Sequence, residues 1–279
     1  MKVPLRSLAS RLERVYAPPV RTIFQVLGVE SHLIKRYLDW LSPQSVTVAG
    51  TCASFCLRTT GDLAYVREVP ERDVIRDVLA EIRSDDVFFD IGANVGMYAC
   101  FVGQRLTEGR VVAFEPTPAA MSRLRHNLKL NEIDPASCLD VALSDSAGSA
   151  EFVLRGSRGS ESGAVTDSGT DGNISVQTVI GDRLVAGGEV PQPSVLKIDV
   201  EGGEMGVLRG MRDTLSDPTL RLVYCEIHDD KGTDRGHTDT DVRSLLTGHD
   251  FEISHLVGPS HRPILKAKRS QAGSSDETI

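Results

Sequence analysis

The chain has 279 residues, 40% of them hydrophobic, enough for a sizeable core in one large domain. Its formal charge of −8 disfavours nucleic acid as a partner, because phosphate binding asks for a basic surface or stripe. No apolar run approaches the ~20 residues of a membrane span, and no apolar core precedes a small-residue cleavage site, so the expected location is cytoplasmic.

Residues 1–70 read as a helical lead-in and a hairpin packed on the core. Leu5, Leu8, Leu12 and Val15 recur at helical spacing, Pro18-Pro19 stops that helix, and a second helix is expected over 22–40. Residues 1–42 carry a basic excess that would suit peripheral contact with a membrane. A helix packed on the domain with a solvated basic face is the plainer reading. Trp40 is read as the anchor of this helix. Val46 and Val48, then Phe55 and Leu57, suggest two strands, with Thr59-Thr60-Gly61-Asp62 supplying turn chemistry.

The main domain is expected over 71–269. An amphipathic helix over 73–82 opens it, with Val74, Ile75, Val78, Leu79 and Ile82 on one face. Strands and helices then alternate: strand 87–91, a glycine turn, helix 98–106, strand 111–115, helix 118–130 and strand 139–143. Strand-like 151–154 and 174–179 flank a polar stretch, 156–173, read as a flexible loop. Strand 195–200, helix 204–215, strand 220–227, helix 239–246 and a closing hairpin over 251–268 complete the pattern. Residues 270–279 are expected to be a disordered tail. Nearly all-apolar strands separated by helices imply a parallel sheet covered on both faces, a doubly wound α/β fold. Cys52, Cys56, Cys100, Cys138 and Cys225 form no Cys-x-x-Cys pair and read as reduced, buried thiols rather than zinc ligands.

The segment Phe89-Asp90-Ile91-Gly92-Ala93-Asn94-Val95-Gly96-Met97-Tyr98 lies at the carboxyl end of the first main strand, where doubly wound sheets bind ligands. Gly92 lets the chain turn without a Cβ, and Gly96 lets helix and strand approach. This is not the dinucleotide fingerprint, because Asn94 replaces its middle glycine. Asp90 suits a ligand presenting an amino group or a hydroxyl, not a phosphate. S-Adenosylmethionine (SAM) presents an amino acid moiety and no phosphate. Glu115 ends the second strand about 20 residues on, where an acid accepts hydrogen bonds from both ribose hydroxyls; its bland alternative is a carboxylate capping the Pro116–Pro118 turn. Val141 and Ala142, at the end of the third strand, are read as the adenine edge. The expected cofactor site is thus Asp90, Gly92, Ala93, Asn94, Gly96, Glu115, Pro116, Val141 and Ala142.

These segments resemble the FkbM family of methyltransferases. The likeness runs from Phe88 to Tyr98, through Ala113-Phe114-Glu115-Pro116-Thr117-Pro118, Leu124 with Asn127-Leu128 and Leu130-Asn131, and Ala142-Leu143-Ser144-Asp145, to Leu196-Lys197-Ile198-Asp199-Val200-Glu201-Gly202. The resemblance implies a Rossmann-like class I SAM fold: a mostly parallel, seven-stranded sheet with an antiparallel edge hairpin. It also implies O-methylation, commonly of a sugar hydroxyl on a glycan, glycolipid or glycosylated metabolite. The family tends to carry Ala or a similar small residue after Glu201-Gly202, and Gly203 occupies that place here. The competing readings are a nicotinamide-dependent oxidoreductase and a non-catalytic SAM-fold binding module.

Methyl transfer to a hydroxyl needs an aligned oxygen and removal of its proton. Asp199, Glu226 and His228 cluster at the ends of the fourth and fifth strands and are the candidate catalytic residues. Asp199 would face the methyl and the acceptor, with His228 or Glu226 as general base. Lys197 pairing with Asp199 or Glu226, and Glu201 capping the next helix, are the structural alternatives. Asp199, Glu226 and His228 or Asp229 would also suit Mg²⁺, but no metal is assigned. His126 and His32 read as surface residues.

Overall fold

The structure, a computed structural model, describes residues 30–134, 137–157, 160–165, 173–228, 238–257 and 263–270. The helix predicted around Leu5–Val15, the start of the second helix, Asp229 and residues 271–279 of the predicted tail lie outside the described residues, whereas Ser270 donates its N–H to the Asp250 carbonyl. An amino-terminal unit comprises α1 (Glu30–Leu41), the hairpin β1 (Gln44–Val48) and β2 (Thr51–Phe55), and α2 (Thr60–Glu68). The main body follows with α3 (Arg72–Glu81), β3 (Val87–Ile91), α4 (Met97–Gly103), β4 (Arg110–Phe114), α5 (Pro118–Leu130) and β5 (Cys138–Leu139). Next come β6 (Ala142–Leu143), β7 (Gly148–Ser157), β8 (Ser160–Val165), β9 (Asn173–Val179) and α6 (Gly181–Ala186). The chain closes with β10 (Val195–Ile198), α7 (Glu204–Arg209), α8 (Arg212–Ser216), β11 (Leu222–Glu226), α9 (Asp239–Gly248), β12 (Phe251–Val257) and β13 (Pro263–Arg269).

The main sheet has seven strands in the order β12-β13-β11-β10-β3-β4-β5. The run from β11 to β5 is parallel, and β13 lies antiparallel to both β11 and β12. The order reverses between β3 and β10: the chain winds outward through β4 and β5, then returns to the other side of β3. This is the doubly wound class I SAM methyltransferase fold, and its crevice opens at the carboxyl ends of β3 and β10.

Alternation along each strand divides the core between two faces. Phe88, Val111, Val195, Leu222 and Tyr224 pack on one side. Phe89, Val112, Leu196, Val223 and Cys225 pack on the other. Helices cover both sides, which is why these strands are apolar at nearly every position. Truncating a buried phenylalanine such as Phe88 or Phe89 removes about 3–5 kcal/mol in cores of this kind.

The structure differs from the sequence reading in several places. The hairpin turns at Ala49-Gly50. Thr59-Thr60-Gly61-Asp62 instead starts α2: Thr59 and Asp62 form a reciprocal capping box, and Ser/Thr followed by an acid serves a helix start as well as a turn. The helix expected over 204–215 is broken at Gly210, where a Cβ would sit 2.1 Å from the Ser144 carbonyl oxygen. The strand expected over 139–143 divides: β5 joins the main sheet, and β6 joins a second sheet ordered β6-β9-β7-β8. Within the stretch read as a loop, residues 156–157 and 160–165 pair as strands, since ladder bonds come from the backbone and tolerate Gly and Ser. Residues 158–159 and 166–172 lie outside the described residues. Trp40 is 63% exposed and stacks on Tyr37, so it does not anchor α1 in the core; Leu38, 1% exposed, does. Cys100, Cys138 and Cys225 are buried free thiols, whereas Cys52 is exposed and Cys56 half-buried. Among the described residues no helix is long and apolar enough to cross a membrane.

The hairpin is tied to the crevice through two side-chain amides, Asn127 of α5 and Asn131 at its carboxyl cap. Asn131 accepts from the Ser54 N–H at 2.7 Å and donates to the Ser54 carbonyl at 2.7 Å, taking the place of a neighbouring strand. Asn127 accepts from the Cys56 N–H and donates to the Val95 carbonyl, inside the glycine turn. A buried ion pair, Arg123 with Asp62, joins α5 to α2.

Candidate active site

The turn after β3 is built against its neighbours on both sides. The Gly92 and Ala93 N–H groups donate to the Phe114 carbonyl, and the Asp199 N–H donates to the Ile91 carbonyl. Gly92 has φ +81°, and a Cβ there would lie 1.9 Å from the Asp199 carbonyl oxygen. Only glycine meets both conditions. Asn94, at φ 49°, is among the residues that tolerate the left-handed region.

A cleft with ≈ 1050 Å³ of empty space, partly open to solvent, lies over this turn. Of the residues expected to hold a cofactor, Gly92, Asn94, Glu115, Pro116, Val141 and Ala142 line it. The spacing did not single out Phe114, Phe152 or Thr178, which also line it. Phe152 and Thr178 come from the second sheet, which folds over the cleft. Glu115 is 6% exposed and accepts from the Asn94 N–H at 2.9 Å and from the Thr117 N–H and hydroxyl at 2.8 and 2.5 Å. Burial raises its pKa, and these hydrogen bonds only partly offset the rise.

Asp90 and Ala93 line a smaller adjoining pocket, with Tyr65, Glu71, Tyr98 and Lys197. Gly96 stands at the head of α4 with φ +86°. Asp90 is 3% exposed and accepts from the Ala99 N–H at 2.9 Å, pinning the first turn of α4. Burial pushes its carboxyl up to about 7, against the opposing pull of Lys197 and the Ala99 N–H. Lys197 is 1% exposed, 3.3 Å from an Asp199 oxygen and 4.8 Å from the centroid of the Tyr98 ring. Burial disfavours its charge, but Asp199, Glu71, Glu226 and Asp90 outweigh burial and raise its pKa. Tyr98 donates a short hydrogen bond to Glu71. Glu71 and Tyr65 carried no motif and escaped the sequence reading, and Tyr98 entered it only as the end of the glycine-turn segment, with no role assigned. Only the fold brings them beside β3.

Asp199, Glu226 and His228 do come together. Their ligating atoms lie within 4.8 Å of one another. His228 Nε2 is 3.6 Å from Glu226 Oε1, 3.7 Å from Glu201 Oε2 and 3.9 Å from Asp199 Oδ1. His228 Nδ1 is 2.7 Å from Glu204 Oε1, which also accepts from the Gly202 N–H. Glu204 was read only as part of a helix. Of the structural alternatives, the Lys197–Asp199 pair is present. The cap of α7 is Gly203, with no side-chain bond to it, so Glu201 does not cap this helix. Burial, and then the Asp199 charge, push the Glu226 carboxyl up to about 7. Burial disfavours a charged His228, but the Glu204 hydrogen bond and the surrounding carboxylates prevail and raise its pKa. His126 is exposed on α5.

Comparison with known proteins agrees with this architecture. The model of the FkbM methyltransferase domain matches residues 90–253, more than half of the chain. The chain is 34% identical over 223 residues to the hexuronic acid methyltransferase AglP of Haloferax volcanii, covering 77% of this chain and 87% of that one. It is 32% identical over 205 residues to the 31-O-demethyl-FK506 methyltransferase FkbM of Streptomyces tacrolimicus, covering 62% and 75%. It is 28% identical over 162 residues to the 2-O-methyltransferase NoeI of Sinorhizobium fredii, covering 53% and 65%. The nicotinamide-dependent and non-catalytic readings are thereby set aside. The chain is a SAM-dependent enzyme that belongs to the FkbM family of methyltransferases.

Proposed function

We propose that this enzyme methylates a hydroxyl of a sugar-like acceptor, on a glycan, glycolipid or glycosylated metabolite. The observation that carries this reading is the acidic cluster of Asp199, Glu226 and His228 at the switch point, directly beside the cleft. The Haloferax volcanii relative is a hexuronic acid methyltransferase, which supports the acceptor class. Residues 71–269 form the transferring domain.

When bound, SAM supplies the electrophilic methyl and its leaving group. The rest falls to the protein. Glu115 would hold the ribose, Val141 and Ala142 would border the adenine, and the glycine turn, of which Gly92 and Asn94 line the cleft, would hold the amino acid end. Asp90 fixes the first turn of α4 and offers its carboxyl toward the amino group. Asp199 would face the methyl and the acceptor, since its side chain is 29% exposed where Glu226 and His228 are buried. The acceptor proton passes to the Asp199–Glu226–His228 cluster, poised near neutrality by the raised Glu226 pKa.

The test is a methyl-transfer assay on a panel of hexuronic acids, neutral hexoses and glycolipids, with the product analysed for the methylated atom. An O-methyl sugar formed together with S-adenosylhomocysteine is expected. Methylation confined to nitrogen or carbon acceptors would overturn the reading.

A further inference from the structure

We propose that Asp199, Glu226 and His228 hold one divalent cation of the Mg²⁺ or Mn²⁺ class, with Glu201 at its rim. The inference rests on the acceptor-activating role given to this cluster above.

The spacing comes first. Donor atoms gathered on one ion at about 2.1 Å lie about 3–4.2 Å from each other. His228 Nε2 stands 3.6 Å from Glu226 Oε1 and 3.9 Å from Asp199 Oδ1, inside that window. Glu201 Oε2, at 3.7 Å from the same nitrogen, is within reach of the same ion.

The second observation is independent of the acids. The His228 side chain is fully buried, and its Nε2 has no hydrogen-bond partner. Its Nδ1 is engaged by the Glu204 carboxylate at 2.7 Å. A carboxylate can only accept, so the ring proton belongs on Nδ1, and Nε2 of the neutral ring directs a lone pair into the cluster. A carboxylate behind a histidine is the usual support of a metal-binding imidazole.

A proton on Nε2 is the competing account. An imidazolium N–H would draw one carboxylate to about 2.8 Å. Instead three carboxylates stand off at 3.6–3.9 Å, leaving a gap that a cation fills. Lys197 is engaged elsewhere: its ammonium meets the other Asp199 oxygen, Oδ2, at 3.3 Å and lies over the Tyr98 ring. One imidazole among carboxylates, with no thiolate in the set, favours Mg²⁺ or Mn²⁺ over zinc. A cation here would acidify a neighbouring hydroxyl, the task the proposed reaction asks of the cluster.

The test is titration of metal-stripped protein with Mn²⁺, following the free-ion electron paramagnetic resonance signal, with S-adenosylhomocysteine binding measured separately by calorimetry. Wild type should bind one Mn²⁺ per chain, displaceable by Mg²⁺. Asp199→Asn and Glu226→Gln should each weaken Mn²⁺ at least tenfold, with thermal unfolding and S-adenosylhomocysteine binding retained. Should one variant fail to fold, the other decides. Absence of stoichiometric Mn²⁺ binding in protein that binds S-adenosylhomocysteine would overturn the cation and leave the cofactor site standing. Mn²⁺ binding unchanged in both variants would overturn the ligand assignment.

Discussion

Replacing Glu115 by alanine separates cofactor recognition from structure. An ionised carboxylate offers about four lone-pair positions. Asn94 N–H takes one on Oε2, and the Thr117 N–H and hydroxyl take both on Oε1. One position therefore remains, enough for a single ribose hydroxyl rather than the pair expected from spacing alone. A hydrogen bond to a charged group contributes about 1.5–3 kcal/mol. Its loss weakens binding by roughly 10- to 150-fold, at about 1.4 kcal/mol per decade. Glu115→Ala also strands the three protein donors, and an unsatisfied buried donor costs about 1–3 kcal/mol. Water entering the vacated space would hold the total loss of stability near the lower end. Glu115→Gln keeps the shape, but its amide nitrogen accepts nothing, so it faces a donor at either end and should lower stability as well. Calorimetry with S-adenosylhomocysteine, beside chemical unfolding, measures both effects. Affinity within about threefold of wild type in Glu115→Ala, together with reduced stability, would show that Glu115 shapes the turn without touching the ribose.

Two further outcomes follow from the same geometry. Gly92→Ala places a Cβ 1.9 Å from the Asp199 carbonyl oxygen and forces a left-handed alanine, itself about 1–2 kcal/mol unfavourable. Stability should fall by about 3 kcal/mol or more and S-adenosylhomocysteine binding by over tenfold, and an unchanged unfolding midpoint would contradict the close approach of the two turns. For Asp90, the folded pKa of about 7 lies above the ordinary aspartate value of 3.8. The folded state therefore holds its proton more tightly. The resulting stabilisation is full below about pH 4, declines between about 4 and 7 and is gone above, amounting to at most about 4 kcal/mol. Asp90→Asn, which can still accept from the Ala99 N–H, should remove this slope. Identical pH dependence of unfolding in both proteins would refute the burial argument.

Periodicity and local chemistry determined much about this protein before any contact was known. The short runs at Val87–Ile91, Val195–Ile198 and Leu222–Glu226 read as strands buried on both faces, because they are too short for helices and rich in β-branched and aromatic residues. The segment from Asp90 to Gly96 and the acid at Glu115 marked the crevice, since a strand, a glycine turn and a helix fix where backbone approaches a ligand. Tertiary structure decided what lies far apart in the chain. Glu71 and Tyr98, Asn131 and Ser54, and Glu204 and His228 meet only after folding. The division of 139–143 between two sheets was also hidden, because each short strand is defined by its pairing partner and not by its own residues. The orphaned Nε2 of His228 is likewise a property of its surroundings. Residue type says what a side chain can bind, and only packing says what it has been denied.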